Sequence, residues 1–207
     1  MDKPIKPDWM TPTGQPWAIR TAKTVYRNPW ITVREYQTTA PTGRPALYGV
    51  LSHANYALAI LPLHEDGTVT LVGQHRFALG DYSWEIPEGG GPIGEDRLAS
   101  AQRELREETG LIAAEWRPVL NLQLSNSVTD EQAFGYIALG LTQAEIDPDE
   151  TESIRIQRVP FREALDLALC GMIIDVLTVA MLLRAYHMAV EGQLPEALAK
   201  AMLSPGR

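Results

Sequence analysis

Residues 89–111 read GGGPIGEDRLASAQRELREETGL, and the second half of that stretch decides the fold. From about residue 95 to 109 it reads as a helix: Leu98, Ala101 and Leu105 share one face, and Gly110 is a natural stop. Acidic Glu95 and Asp96 suit the positive N-terminal end. With Glu104 placed at zero on the helical wheel, Glu108 lies about 40° to one side and Glu107 about 60° to the other. The apolar stripe falls at about 60–120°, so the glutamates border it, at the edge of a core. Carboxylates at this spacing repel one another by roughly 0.2–0.5 kcal/mol per pair. A divalent cation is the simplest compensation, and hard oxygen ligands at this density suit Mg²⁺ or Mn²⁺. A solvated acidic face is the alternative that the cluster alone leaves open. Arg103, four residues before Glu107, is placed to pair with it and hold its rotamer. Glu95 falls near the opposite side of the wheel and roughly 13 Å along the axis from Glu104, out of reach of the same ion.

The rest of the chain narrows the classes. Its 207 residues suit one domain with a flanking piece, and 45% hydrophobic with 21% charged residues is ordinary for a globular protein. A formal net charge of −8 argues against general nucleic-acid binding. It leaves room for a small phosphate-bearing ligand, because bound cations reverse the local sign. Cys170 is the single cysteine, so no intrachain disulfide forms; its apolar run predicts a buried small hydrophobe. No secretory h-region precedes the first strands, and a cytoplasmic location is expected. The apolar run at residues 167–183 carries Asp175 at its middle, which predicts a buried amphipathic helix rather than a membrane span.

Residues 1–16 read as an irregular lead-in. Three Val-, Thr- and Tyr-rich runs follow, AIRTAKTVYR, WITVREYQTT and ALYGVLSH, separated by turn residues. YALAILPL and TVTLVGQHR are joined by HEDG, which predicts a hairpin. SWEIP reads as a short strand and EGGGPIGED as a loop. Beyond residue 111 come strands at WRPVLNLQLS, AFGYIALGL and IRIQRVP, with the polar NSVTDE between the first two. Helices are expected from about residue 161, from about 172 to 191, and around 195–203. This order gives an α+β fold: a small N-terminal antiparallel β-sheet ahead of a domain with a mixed central sheet.

The stretch 89–111 also fits G-x5-E-x7-R-E-U-x-E-E-x-G-U, U being aliphatic, at Gly89, Glu95, Arg103, Glu104, Leu105, Glu107, Glu108, Gly110 and Leu111. On these residues the chain resembles the Nudix hydrolases, which cleave nucleoside diphosphates linked to another moiety. NPWITVREY, VGQHRF, SWEIPEGG and SNSVTDE extend the likeness to the ADP-ribose and nucleotide-sugar pyrophosphatase branch. The resemblance implies an α/β/α sandwich around a mixed sheet, with an N-terminal β dimerisation region at 17–54 and the Nudix domain at 55–207. It implies a homodimer built through the N-terminal strands and Mg²⁺ (or Mn²⁺) as cofactor, while the net charge and the Asp175 run lead to the expectation of no nucleic-acid or membrane partner.

It also implies roles. Glu104 and Glu108, with Glu107 and the main-chain carbonyl of Glu88, match the metal ligands. Glu108, Glu107 and Glu131 match the catalytic carboxylates, Glu131 as base or extra ligand. Arg76 matches an arginine that meets the diphosphate, and Gly89, Glu95, Arg103 and Gly110 match structural box positions. Trp30 and Trp84, with Tyr82, are candidates for stacking on base or sugar, although packing within strands is the plainer reading. The implied reaction is hydrolysis of a nucleoside diphosphate sugar to a nucleoside monophosphate and a sugar phosphate. ADP-ribose pyrophosphatase proper is the alternative, and a ligand sensor on the same scaffold the more distant one. Typical ADP-ribose enzymes carry Pro-Gly where this chain has Asn126-Ser127, which moves weight towards other nucleotide sugars.

Overall fold

The computed structural model describes residues 6–145 and 153–204; the first five residues of the expected lead-in lie outside them. The chain divides into two units, the first comprising the residues up to His53 together with Ser125–Asp130. The second comprises Ala54–Leu124 and the chain from Glu131 onward.

In the first unit a 3-10 turn at Asp8–Met10 precedes an antiparallel meander of β1 (Ala18–Arg27), β2 (Ile31–Thr39) and β3 (Pro45–His53). Asn28 makes the β1–β2 corner, its Oδ1 accepting from the N–H groups of Trp30 and Ile31 at 2.9 and 2.8 Å. The segment 125–130 is strapped to β3. Leu51 N–H donates to the Val128 carbonyl at 2.9 Å, Tyr48 Oη to the Ser127 carbonyl, and Ser52 Oγ to Asp130 Oδ2 at 2.7 Å. Nothing in the local sequence pattern signals that this loop joins the N-terminal sheet.

The second unit holds two sheets. One runs β7 (Glu88–Pro92), β4 (Asn55–Pro62), β9 (Gln132–Gln143), β8 (Leu111–Gln123); β4 and β9 are parallel and the other pairs antiparallel, so the sheet is mixed. The other runs β10 (Arg155–Pro160), β5 (Thr68–Arg76), β6 (Asp81–Glu85), all antiparallel. Side chains alternate across a strand, and β4 and β9 use both faces. Leu58, Ile60, Phe134, Tyr136 and Ala138 meet Ala101 and Leu105 of α1 (Arg97–Thr109). Ala59, Leu61 and Ile137 join the larger core with α2 (Phe161–Leu169), α3 (Val176–Val190) and α4 (Glu196–Leu203). One helix on one face and three on the other give the expected α/β/α sandwich. Among the described residues no helix is long and apolar enough to cross a membrane.

Five local expectations change. The HEDG turn forms, with Gly67 N–H bonded to the His64 carbonyl at 2.9 Å, but it does not close a hairpin. The antiparallel contact ends after the bridge Leu63↔Val69 and the bond from the His64 N–H to the Thr68 carbonyl at 2.9 Å, and β4 and β5 enter different sheets. EGGGP is a strand rather than a loop; Gly89, Gly90 and Gly91 pair with Leu58, Ala57 and Tyr56 of β4. A strand without side chains carries no hydrophobic period, which is why the pattern missed it. α1 begins at Arg97, because Asp96 is its N-cap and accepts from Leu98 N–H at 2.9 Å. The apolar run at 167–183 is broken in the same way. Asp175 caps α3, so that helix starts four residues later than expected, and Cys170, the C-cap of α2, is exposed rather than buried.

Candidate active site

The site is built where α1 crosses β7. Gly110 ends α1 in the left-handed conformation at φ 66°, a cap that suits glycine. Along the helix, the stripe of Ala101 and Leu105 holds one face in the core and fixes the aim of the flanking carboxylates. Glu108 is only 5% exposed and its Oε2 accepts from Glu88 N–H at 3.1 Å. Glu104, 13% exposed, lies directly against Gly89: a Cβ there would overlap its carboxylate. The two carboxylates one helical turn apart therefore converge on the backbone of Glu88 and Gly89.

Arg103 organises the outer edge. Its Nη1 donates to Glu107 Oε2 at 2.9 Å, its Nη2 to the Gly90 carbonyl at 3.1 Å, and Nη2 lies 2.8 Å from Glu104 Oε1. Burial works against this cation, but Glu104 and Glu107 outweigh it and raise its pKa. Glu107, turned towards Arg103, lines a groove of about 490 Å³ with Gln102, Arg103, Arg106, Ile112, Ala113 and Trp116, to which Glu104 and Glu108 do not contribute. Among the described residues no three His, Cys, Asp or Glu side chains gather as a metal-binding group. What does gather is a pair of carboxylates against a strand backbone.

On the other flank Arg76, in β5, pairs with Glu85, which is 2% exposed and also accepts from Gln74 Nε2 at 3.1 Å. Burial disfavours the Arg76 cation; the hydrogen bond and charge of Glu85, then the charges of Glu88 and Glu108, more than reverse this and raise its pKa. Arg76 therefore sits in the field of the same carboxylates. The Glu88 side chain faces this cluster. Burial pushes its carboxyl well above the usual range, Asp175 and Glu85 push it further, and Arg76 opposes.

Glu131 is half-buried, immediately before β9, and its carbonyl accepts from Leu124 N–H at 3.4 Å. Trp84 packs against the larger core, with Tyr82 edge-on at 6.0 Å and the Arg155 guanidinium 5.7 Å over its ring. Trp30, 68% exposed, belongs to the N-terminal unit. Glu95 precedes α1, its N–H bonded to the Pro92 carbonyl at 3.1 Å. Sequence reading missed Glu85, Gln74 and Thr178. A lone charge between Trp84 and Ile86 was the available signal for Glu85, and the Asp-x-x-Thr spacing of Asp175 and Thr178 was the one for the cap.

The site fits a hard divalent cation: the carboxylates of Glu104 and Glu108 meet at the backbone of Glu88 and Gly89, and the missing side chain at Gly89 leaves room for the Glu104 carboxylate. Known proteins agree on the class. Residues 53–172 match the NUDIX domain and residues 17–51 the nucleoside diphosphate sugar hydrolase N-terminal domain. An ADP-ribose pyrophosphatase from Mycobacterium tuberculosis is 30% identical over 176 residues, 83% of this chain and 84% of the relative. One from Bacillus subtilis is 30% identical over 129 residues, 61% and 69% of the two chains. The crystal structure of an ADP compounds hydrolase has the same fold, with a TM-score of 0.79 over 89% of this chain and 100% of that one, at 22% identity. The chain belongs to the Nudix hydrolases and is a hydrolase acting on phosphoanhydride bonds. Enzymes of this family generally use divalent metal ions.

Proposed function

We propose that the protein hydrolyses the diphosphate linkage of a nucleoside diphosphate sugar, with Mg²⁺ as cofactor and Mn²⁺ as its substitute. The observation that carries this reading is the convergence of the Glu104 and Glu108 carboxylates on the Glu88–Gly89 backbone. The sugar class is supported by the match of residues 17–51 to the N-terminal domain of nucleoside diphosphate sugar hydrolases. ADP-ribose itself is the second reading, favoured by two relatives named ADP-ribose pyrophosphatase; Asn126-Ser127 favours other nucleotide sugars.

Glu104, Glu108 and the Glu88 carbonyl would hold the cation, with Glu107 a further candidate ligand. When bound, such an ion neutralises diphosphate charge and lowers the pKa of a coordinated water. Arg76 offers a guanidinium fork to the phosphate oxygens. Glu131, Glu107 and Glu108 are the candidate acceptors of the water proton. Water oxygen bonds to one phosphorus, the bridging P–O bond breaks, and the departing phosphate takes the electron pair. Trp30 and Trp84 are the proposed contacts for base or sugar.

The N-terminal sheet leaves Trp17, Ile19, Val25, Tyr26 and Leu47 at its surface, which supports a homodimer built through these strands. A single cysteine and a negative net charge suit a cytoplasmic enzyme that binds neither membrane nor nucleic acid.

The test is a phosphate-release screen. Purified protein with Mg²⁺ is incubated with ADP-ribose, GDP-mannose, ADP-glucose, UDP-glucose, NADH and dinucleoside polyphosphates, followed by phosphatase. Preference for a hexose diphosphonucleoside supports the reading; preference for ADP-ribose supports the second one. Silence on all of them, with Mg²⁺ and with Mn²⁺, overturns both in favour of a ligand sensor.

A further inference from the structure

The connection between β6 and β7 is two residues, Ile86 and Pro87, that no strand ladder holds, and Glu88 opens β7 opposite Ala59; the site depends on this corner. Ile86, fully buried, donates its N–H to Thr178 Oγ1 of α3 at 3.0 Å. Pro87 has no N–H, and its carbonyl accepts from Ile60 N–H of β4 at 2.9 Å. Glu88 N–H donates to Glu108 Oε2 of α1 at 3.1 Å. Three consecutive residues are thus tied to three different elements, and the α3 anchor is a single hydroxyl.

Thr178 is 0% exposed. A helical threonine hydroxyl often bonds back to a carbonyl of its own preceding turn. Here it is turned outward instead: it accepts from Ile86 and lies 3.5 Å from Glu88 Oε1, a long contact in the donating direction. The cap of α3 is supplied by Asp175, whose Oδ2 accepts from the Thr178 N–H at 2.7 Å. A buried N–H such as that of Ile86 must find a partner, so removing the hydroxyl would force the 86–88 segment to move or to admit water.

We propose that Thr178 is a positioning residue for the metal-binding corner: its hydroxyl fixes the 86–88 backbone against α3 and so sets where the Glu88 main chain meets the Glu108 carboxylate. The inference rests on the reading that Glu104, Glu108 and the Glu88 backbone hold the cation. Thr178 touches neither metal nor substrate; it hydrogen-bonds Ile86, two residues before Glu88, and the losses of about 10–100-fold typical of groups that orient ligands set the expected scale.

The experiment is a Mn²⁺ titration of the full chain, read by the electron paramagnetic resonance signal of the free ion, on wild type, Thr178→Val, Thr178→Ala and Thr178→Ser. Circular dichroism confirms folding of each. The Val and Ala variants are expected to bind Mn²⁺ about 10–100-fold more weakly, with KM for ADP-ribose at saturating metal little changed. The Ser variant, which keeps the hydroxyl, is expected to match wild type. Should Thr178→Val not fold, the Ala and Ser pair decides. Wild-type affinity in a folded Val or Ala variant overturns the proposal alone. So does a Ser variant weakened as much as Val, since the methyl group would then be the cause. Wild-type protein that binds no Mn²⁺ overturns the metal reading and this proposal with it.

Discussion

The helices on the two faces of the mixed sheet are built on opposite plans. α3 places Leu177, Met181, Leu182, Ala185, Met188 and Ala189 in the larger core, and its buried face is apolar apart from Thr178. α1 buries Ala101 and Leu105 but also Glu108 and Ser100, and holds Glu104 and Glu107 at its margin. A buried carboxylate is costly unless hydrogen-bonded or paired. α1 meets that cost with Glu88 N–H for Glu108 and with Arg103 for Glu104 and Glu107. One helix is built for packing; the other gives up packing to hold carboxylates at its edge. Changes to the carboxylates of α1 should therefore remove activity and spare the fold, and truncations of the apolar face of α3 the reverse, Thr178 being the exception on that helix.

The largest expected effect is that of Glu108→Gln. Loss of the proposed direct ligand should cost more than the roughly 10–100-fold typical of groups one bond further out. Turnover is expected to fall at least 100-fold with an unchanged far-ultraviolet spectrum and melting point; near-wild-type turnover would break the assignment. Met181→Ala tests the opposite face. Met181 is fully buried, so truncation is expected to cost about 2–5 kcal/mol in urea unfolding, while kcat per folded molecule stays the same. A matching loss of kcat would erase the distinction between the faces.

Gly89→Ala sharpens the comparison within the site. The new methyl would overlap the carboxylate and Cγ of Glu104, which would have to shift from its place beside Arg103, so activity is expected to fall about 10–100-fold with the fold retained. Unchanged activity would show that Glu104 has no need of that space. The smallest effect serves as a control in the turn before β5. The Thr68 hydroxyl, with help from Arg158, holds the Asp66 carboxyl at about 2, below its ordinary 3.8. The folded value is depressed, so the stabilisation is present above about pH 4 and disappears as pH falls from 3.8 towards 2. Asp66 is exposed, so Asp66→Asn is expected to cost only about 0.2–1 kcal/mol at pH 7. That difference should vanish near pH 2, and activity at pH 7 should not change.

Residues whose role is local were legible. The period of Leu98, Ala101 and Leu105, the stop at Gly110 and the Arg103–Glu107 pair all follow from helix geometry, and the structure places them accordingly. The strands Ala18–Arg27 and Thr68–Arg76 fall where Val- and Thr-rich runs predict them. Residues whose role is non-local were not. Gly89–Gly91 form a strand only because β4 lies beside them, and glycine carries no period to announce it. Asp175 and Cys170 were misplaced because an apolar run says nothing of where a cap will divide it.

The sequence by itself determined the class of chemistry, because carboxylate spacing on a helix is set by 3.6 residues per turn and the same spacing marks the family. It determined the α+β order of elements too, since hydrophobic period is a local property, while the α/β/α sandwich was an expectation from the resemblance. Only the tertiary structure decided which backbone those carboxylates meet, that β4 and β5 part into separate sheets, and that segment 125–130 is strapped to β3. It alone brought Thr178 of α3 to the Ile86 N–H. These are pairings between residues far apart in the chain, and they exist only once the sheets and helices have packed and every buried donor has found its acceptor.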